Sequence, residues 1–300
     1  MQEQTTNKFI LHMKTKTFFF LLISMTLLAF RGDKHAFRVF NSEGKPVKYQ
    51  KMLENLEGAD IVFFGELHDN PIAHWLQYEL TRDLYNIEGE NLVLAAEMFE
   101  ADNQLLMDEY LGGQISEKKF EEEMRLWNNY ETDYKPLVVF AKENGLRFIA
   151  SNIPRRYASV VFNKGFEGLE ELSEEAKTYF HPLPVPYDSE VECYKSMLKM
   201  GGMGVKPNEN LPKAQAVKDA TMAHFIMKNR QEGEMVIHYN GSYHSDKHQG
   251  IIWYLLQKQP DLKIVTITTK LQEKIDEVEE ENIGSADFII LVPETMTRTY

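Results

Sequence analysis

Six short, nearly continuous apolar runs separated by longer stretches of helical spacing constrain this chain more than any other feature. The runs are Ile61–Phe64, Leu92–Ala96, Arg147–Ser151, Met235–Tyr239, Ile264–Thr268 and Phe288–Val292. Runs of this kind suit strands covered on both faces, since strict alternation is expected only where one face meets water. Between them, Pro71–Tyr85 sets Ile72, Trp75, Leu76, Leu80 and Leu84 largely along one face. Likewise Ala214–Met227 sets Val217, Ala220, His224 and Met227 at helical intervals. Strands alternating with helices predict an α/β fold with a mainly parallel central sheet and crossover helices. Ahead of them, Phe37–Phe40 and Val47–Tyr49 flank a Gly-containing turn and read as a short hairpin. Two segments, about 100–144 and 155–230, are too long for plain connections, and they predict a helical cap formed by long insertions. The second contains Gly201-Gly202-Met203-Gly204, which reads as flexible.

Polar residues cluster where these strands end, which is where open α/β sheets bind ligands. Ile61–Phe64 runs into Gly65, Glu66 and His68, and Leu92–Ala96 runs into Glu97. Arg147–Ser151 runs into Asn152 and Arg155, and Met235–Tyr239 runs into Gly241 and His244. Two Gly-x-x-His turns, Gly65–His68 and Gly241–His244, therefore face one expected crevice. Each residue has a plainer reading. The glycines suit a tight turn or close backbone approach. Asn70 before Pro71 reads as a helix cap with proline at the first position, and Asp69 suits the same helix dipole. His224 and His238 sit in apolar patterns and read as core. Glu97, among apolar neighbours, needs a partner or a task.

The composition narrows the function classes. A net charge of −13 without a Lys/Arg run argues against wrapping nucleic acid. The lone Cys193 excludes an intrachain disulfide, a Cys-rich zinc or iron–sulfur site, and covalent haem attachment through Cys-x-x-Cys-His. Lys14 and Lys16 precede the mostly apolar run 17–30, which reads as a secretory signal, being shorter than the roughly 18–20 residues of a spanning helix. The expected division is a 1–30 N-terminal extension and signal peptide and a 31–300 α/β domain. The expected location is exported, periplasmic or membrane-associated. No cysteine follows the apolar run, so lipidation there is not available.

The stretch Phe64–Pro71, with His74 and Gln77, resembles the opening motif of the ChaN-like haem-binding uptake proteins. Those belong to a wider group with the Tiki proteases and erythromycin esterases. Further matching stretches follow in family order: Ala96-Glu97-Met98, Tyr134-Lys135-Pro136-Leu137, Asn152-Ile153-Pro154-Arg155, Gln215–Ala223 and Gly241–His244. They span roughly residues 38 to 292. The resemblance implies iron acquisition outside the cytoplasm, with haem bound by a homodimer through tyrosine ligation. It also implies hand-over with an outer-membrane haem receptor. Tyr134 and Tyr243, inside matching motifs, are the expected haem ligands, with His74 and Asn152 as further haem-binding residues. The alternative is a hydrolase. In it, His68 and His244, with Glu66 or Glu97, hold a divalent metal ion, or without metal one histidine acts as general base with Arg155 steadying an oxyanion. A third reading is a scaffold whose motif residues only preserve the fold.

Overall fold

A computed structural model describes residues 34–198 and 208–300. The apolar run 17–30 and the Gly201–Gly204 stretch lie outside the described residues. All six expected strands form and join the hairpin in one eight-stranded sheet. In chain order they are β1 (Arg38–Asn41), β2 (Pro46–Val47), β3 (Ile61–Glu66), β4 (Leu92–Glu100), β5 (Phe148–Asn152), β6 (Met235–Gly241), β7 (Ile264–Gln272) and β8 (Phe288–Pro293). The sheet order is β2-β1-β8-β7-β3-β6-β4-β5. β1 runs antiparallel to β2 and β8, and every other pairing is parallel.

Successive strand residues point to opposite faces, and the sheet uses both. Along β3, Val62 and Phe64 enter one core while Ile61 and Phe63 enter the other. The first core is closed by α1 (Tyr49–Leu56), α2 (Pro71–Glu88), α3 (Gln104–Leu111), α4 (Glu117–Glu123) and α5 (Lys135–Glu143). The second is closed by α6 (Arg155–Lys164), α7 (Glu192–Met197), α8 (Asn210–Asn229) and α9 (Ile251–Lys258). The two long insertions thus divide between the faces instead of stacking on one, giving helix, sheet and helix layers. Phe37–Tyr300 makes up one compact unit. Among the described residues, no helix is long and apolar enough to cross a membrane.

Local chemistry sets the ends of these elements. Asn70 Oδ1 accepts from the Ile72 and Ala73 amides at 3.1 and 3.0 Å, and Pro71 opens α2. That cap fixes where β3 turns back into a helix. α8 lies against β5, α6 and α9 through small side chains, with Ala216, Ala220 and Ala223 all buried. Strands β3 and β4 extend beyond their apolar runs. Gly65 and Glu66 still pair within the sheet, and the β4–β5 register shifts between Ala96 and Glu100. Bulged registers of this kind re-aim side chains, and Glu97 sits inside this one.

Candidate functional site

The carboxyl ends of β3, β4, β5 and β6 bring Glu66, Glu97, Asn152 and Gly241 together, as the strand-end argument requires. Glu66 is fully buried and has four neighbours. Its Oε1 accepts from the Tyr134 hydroxyl at 2.7 Å and lies 2.8 Å from His68 Nδ1. Its Oε2 accepts from Gln77 Nε2 at 2.5 Å and lies 3.6 Å from His74 Nδ1. His74 Nε2 in turn lies 3.3 Å from Asp133 Oδ2 and 3.1 Å from the His68 carbonyl. Asn129 donates to that same carbonyl at 2.9 Å and to Asp133 at 2.7 Å. Asp133 and Tyr134 belong to a π-turn, Tyr130–Tyr134, that leads into α5. Such turns are frequent at functional sites. Burial opposes the charge on Glu66, but His68, His74 and Tyr134 outweigh it and hold the carboxyl below its ordinary value.

A second chain of acid–base partners starts at Glu97. Its Oε2 accepts from the Gly241 amide at 2.8 Å, and its Oε1 lies 3.1 Å from His244 Nε2. His244 Nδ1 makes a short contact with Asp219 Oδ1, and Tyr194 donates to Asp219 Oδ2 at 2.8 Å. Burial works against a charged His244, yet Glu97 and Asp219 lift it to about 10. Burial, prevailing over His244 and Tyr194, raises Asp219. The two chains meet at Gly241. A β-carbon there would stand 2.8 Å from His68 Nε2 and 3.6 Å from Glu97 Oε2. Glycine at this position is therefore what lets the His68 ring lie over β6. Gly65 serves the facing strand in the same way, since a β-carbon on it would meet Ser242 Cα at 2.9 Å.

His68 is the accessible member of the network, with a side chain 34% exposed against 6% for His244. Its ring meets Trp127 edge-on, with centroids 4.9 Å apart. Burial lowers the affinity of His68 for a proton, but the Glu66 hydrogen bond and the Glu97 charge raise it above the usual imidazole value. Beyond Trp127 opens a cavity of about 690 Å³, walled by Met124, Leu126 and Trp127 and lined also by Arg125, Arg155, Arg156 and Tyr300. A smaller, mainly apolar cavity of about 340 Å³ lies against His74, Trp75 and Tyr78. The C-terminal segment lines both, through Tyr300 in the first and Thr299 in the second. It is tied to Asp69, whose carboxylate accepts from Arg298 at 2.8 Å and whose carbonyl accepts from the Thr299 amide at 3.0 Å.

The residues singled out from the sequence divide clearly. Glu66, His68, Glu97 and His244 share one network, and His238 is a buried core residue between Ser151 and Asn240, as its pattern suggested. Arg155 lines the large cavity. The expected haem ligands lie elsewhere. Tyr134 is 1% exposed, with its hydroxyl committed to Glu66. Tyr243 reaches the Cys193 carbonyl and Ser196. Asn152 donates to the Glu97 carbonyl at 2.9 Å, and neither it nor the two tyrosines line either cavity. His74 is buried and borders only the smaller one. His68, Glu97 and His244 do come together, but among the described residues no group of three or more His, Cys, Asp or Glu is disposed to hold a metal ion. Instead of converging on one open position, Glu97 Oε2 takes the Gly241 amide and the two His244 nitrogens face Glu97 Oε1 and Asp219.

Asp133, Asp219, Gln77 and Tyr300 were not identified as site residues from the sequence. Gln215 and Asp219, four apart and interleaved with Ala216, Val217, Ala220 and Ala223, were the available signal for polar side chains on the buried face of α8. Tyr300 had none, because only the fold carries the end of the chain to the His68 turn.

Comparison with known proteins follows the same architecture. Residues 52–255 match the family model described as haem-binding uptake, Tiki superfamily, ChaN. The structure of ChaN of Campylobacter jejuni, described as binding haem cofacially, superposes with a TM-score of 0.66 at 19% identity, covering 85% of this chain and 96% of that one. A succinoglycan biosynthesis protein superposes at 0.51 with 10% identity, covering 86% and 96%. Both likenesses show a shared fold. A curated relative, RETICULATA-RELATED 5, chloroplastic, of Arabidopsis thaliana, is 24% identical over 200 residues, 61% of this chain and 26% of the relative. The chain thus spans about a quarter of that relative's length.

Proposed function

We propose that this chain, which belongs to the haem-binding uptake family of the Tiki superfamily, ChaN, takes up haem in the cavity beside His68 and Trp127. The cavity itself is the observation that carries this reading. Its volume of about 690 Å³ falls in the range of small-molecule sites, roughly 300–1,000 Å³. Met124, Leu126 and Trp127 suit an apolar macrocycle, and the guanidinium groups of Arg125, Arg155 and Arg156 suit its carboxylates. Tyr300 contributes a phenol oxygen at the same cavity, and phenolate is an established class of haem ligand. It replaces Tyr134 and Tyr243 as the iron ligand in this reading. Export to the periplasm or a membrane surface accords with the signal-like pattern of residues 14–30. A homodimer and exchange with an outer-membrane haem receptor complete the proposal; the Campylobacter relative is described as binding haem cofacially.

Haem titration of the purified chain, followed in the Soret region, tests it. The expected result is saturation at a fixed stoichiometry, with a spectrum altered by Tyr300→Phe and unaltered by Tyr134→Phe. Folded protein that leaves the haem spectrum unchanged would sink the reading.

A second reading has its own observation, the buried relay. His68 is accessible on one side and backed by a buried carboxylate on the other, the arrangement of a general base. On this reading the chain hydrolyses an ester or amide without a metal ion, and Arg155 steadies the developing oxyanion. Hydrolysis of a panel of small esters, compared between the wild type and His68→Gln, decides it. Equal rates in the two proteins, or none in either, remove the second reading.

A further inference from the structure

The large cavity is cationic in a chain whose net charge is −13. Three arginines line it, and their partners differ. Arg125 Nε pairs with Glu100 at 2.7 Å, and its terminal nitrogen pairs with Asp102. Arg156 reaches Asp102 at 2.6 Å and lies over the Tyr157 ring at 4.4 Å. These two guanidinium groups therefore answer the two carboxylates beside them. Arg155 has no ion-pair or hydrogen-bond partner among the described residues, so one positive charge at the cavity is left uncompensated.

The backbone adds to that surplus. Arg155 is the first residue of α6, directly after Pro154, and the first turn holds no acidic side chain and no side-chain cap. The amide groups of that turn have no side-chain acceptor, and the positive end of the helix dipole lies at the residue that carries the unpaired guanidinium. The same cavity is lined by Met124, Leu126 and Trp127. A ligand matching this lining is an apolar body with an anionic edge.

Resting on the haem reading, we infer that Arg155 and the first turn of α6 hold a propionate of the tetrapyrrole, so that the site selects its ligand by a free carboxylate. Binding then does not require the iron. The metal-free porphyrin diacid binds the cavity, and its diester binds poorly. A charge-assisted bond of this type amounts to about a ten- to hundredfold change in affinity.

The test compares protoporphyrin IX with its dimethyl ester by porphyrin fluorescence, on the full chain and on Arg155→Ala. Thermal melts check that the exposed Arg155 site tolerates the change. The expected result is tight binding of the diacid by the wild type and at least tenfold weaker binding of the diester. In Arg155→Ala the diacid should fall to the level of the diester while the diester is unchanged. Equal affinity for both porphyrins in the wild type, or an equal loss for both in the variant, overturns the carboxylate selection while leaving haem uptake standing. If the wild type binds neither these porphyrins nor haem, the haem reading itself fails and this inference with it.

Discussion

Two glycines in equivalent turns make different demands. A β-carbon on Gly65 would press on backbone, at Ser242 Cα and the Ile267 carbonyl. One on Gly241 would press on the tip of the His68 ring. Gly65→Ala should therefore cost stability, about 1–3 kcal/mol by denaturant titration, as overpacking between fixed strands does. Gly241→Ala should cost less, because the ring can swing toward solvent, and should instead separate His68 from Glu97. A lowered His68 proton affinity in the NMR titration of its imidazole would show it; an unshifted titration would count against the contact. Tyr134 makes a third case. Its hydroxyl satisfies a buried carboxylate, so Tyr134→Phe should destabilise by about 1–3 kcal/mol without weakening haem binding. Loss of haem binding in that well-folded variant would return Tyr134 to the ligand set.

At the level of elements, the site depends on where strands give way to helices. Asn70 caps α2 and so fixes the path from Glu66 through His68 to His74. Asn70→Ala should lower stability by about 1 kcal/mol, within the 0.5–2 kcal/mol spread of such caps, seen as a lower urea midpoint at unchanged slope. Asn70 and Pro71 were legible in the sequence because capping is a local effect. The bulge that aims Glu97 was not, since register between β4 and β5 is a property of two strands whose paired residues, from Leu94 with Phe148 to Glu100 with Asn152, are far apart in the chain. The division of the helical insertions between two faces was hidden for the same reason. Periodicity identifies a buried stripe but does not say which side of the sheet buries it.

For the whole molecule, the buried network ties opposite layers together. Asp219 and Gln215 come from α8 on one face, Tyr134 and Gln77 from the other, and the strand ends between them carry Glu66 and Glu97. This makes stability depend on pH. His244, raised from 6.5 to about 10, keeps a proton in the folded state that the unfolded chain has released. Its contribution is complete below about pH 6.5 and is lost as pH rises through 10. The melting temperature should fall between pH 7 and pH 10, and His244→Gln should flatten that part of the decline. An identical profile in the variant would place the pH dependence elsewhere.

The sequence by itself determined the strands, their mainly parallel order with crossover helices, the strand-end position of Glu66, His68, Glu97 and His244, and the family. Those features rest on local periodicity, caps and short motifs, which the chain carries in adjacent residues. Only the tertiary structure decided that Tyr134 is spent on Glu66, that Asp219 backs His244, and that Arg155 and Tyr300 meet at one cavity. Each of those depends on which groups satisfy one another once water is excluded. That pairing is settled between residues tens to hundreds of positions apart.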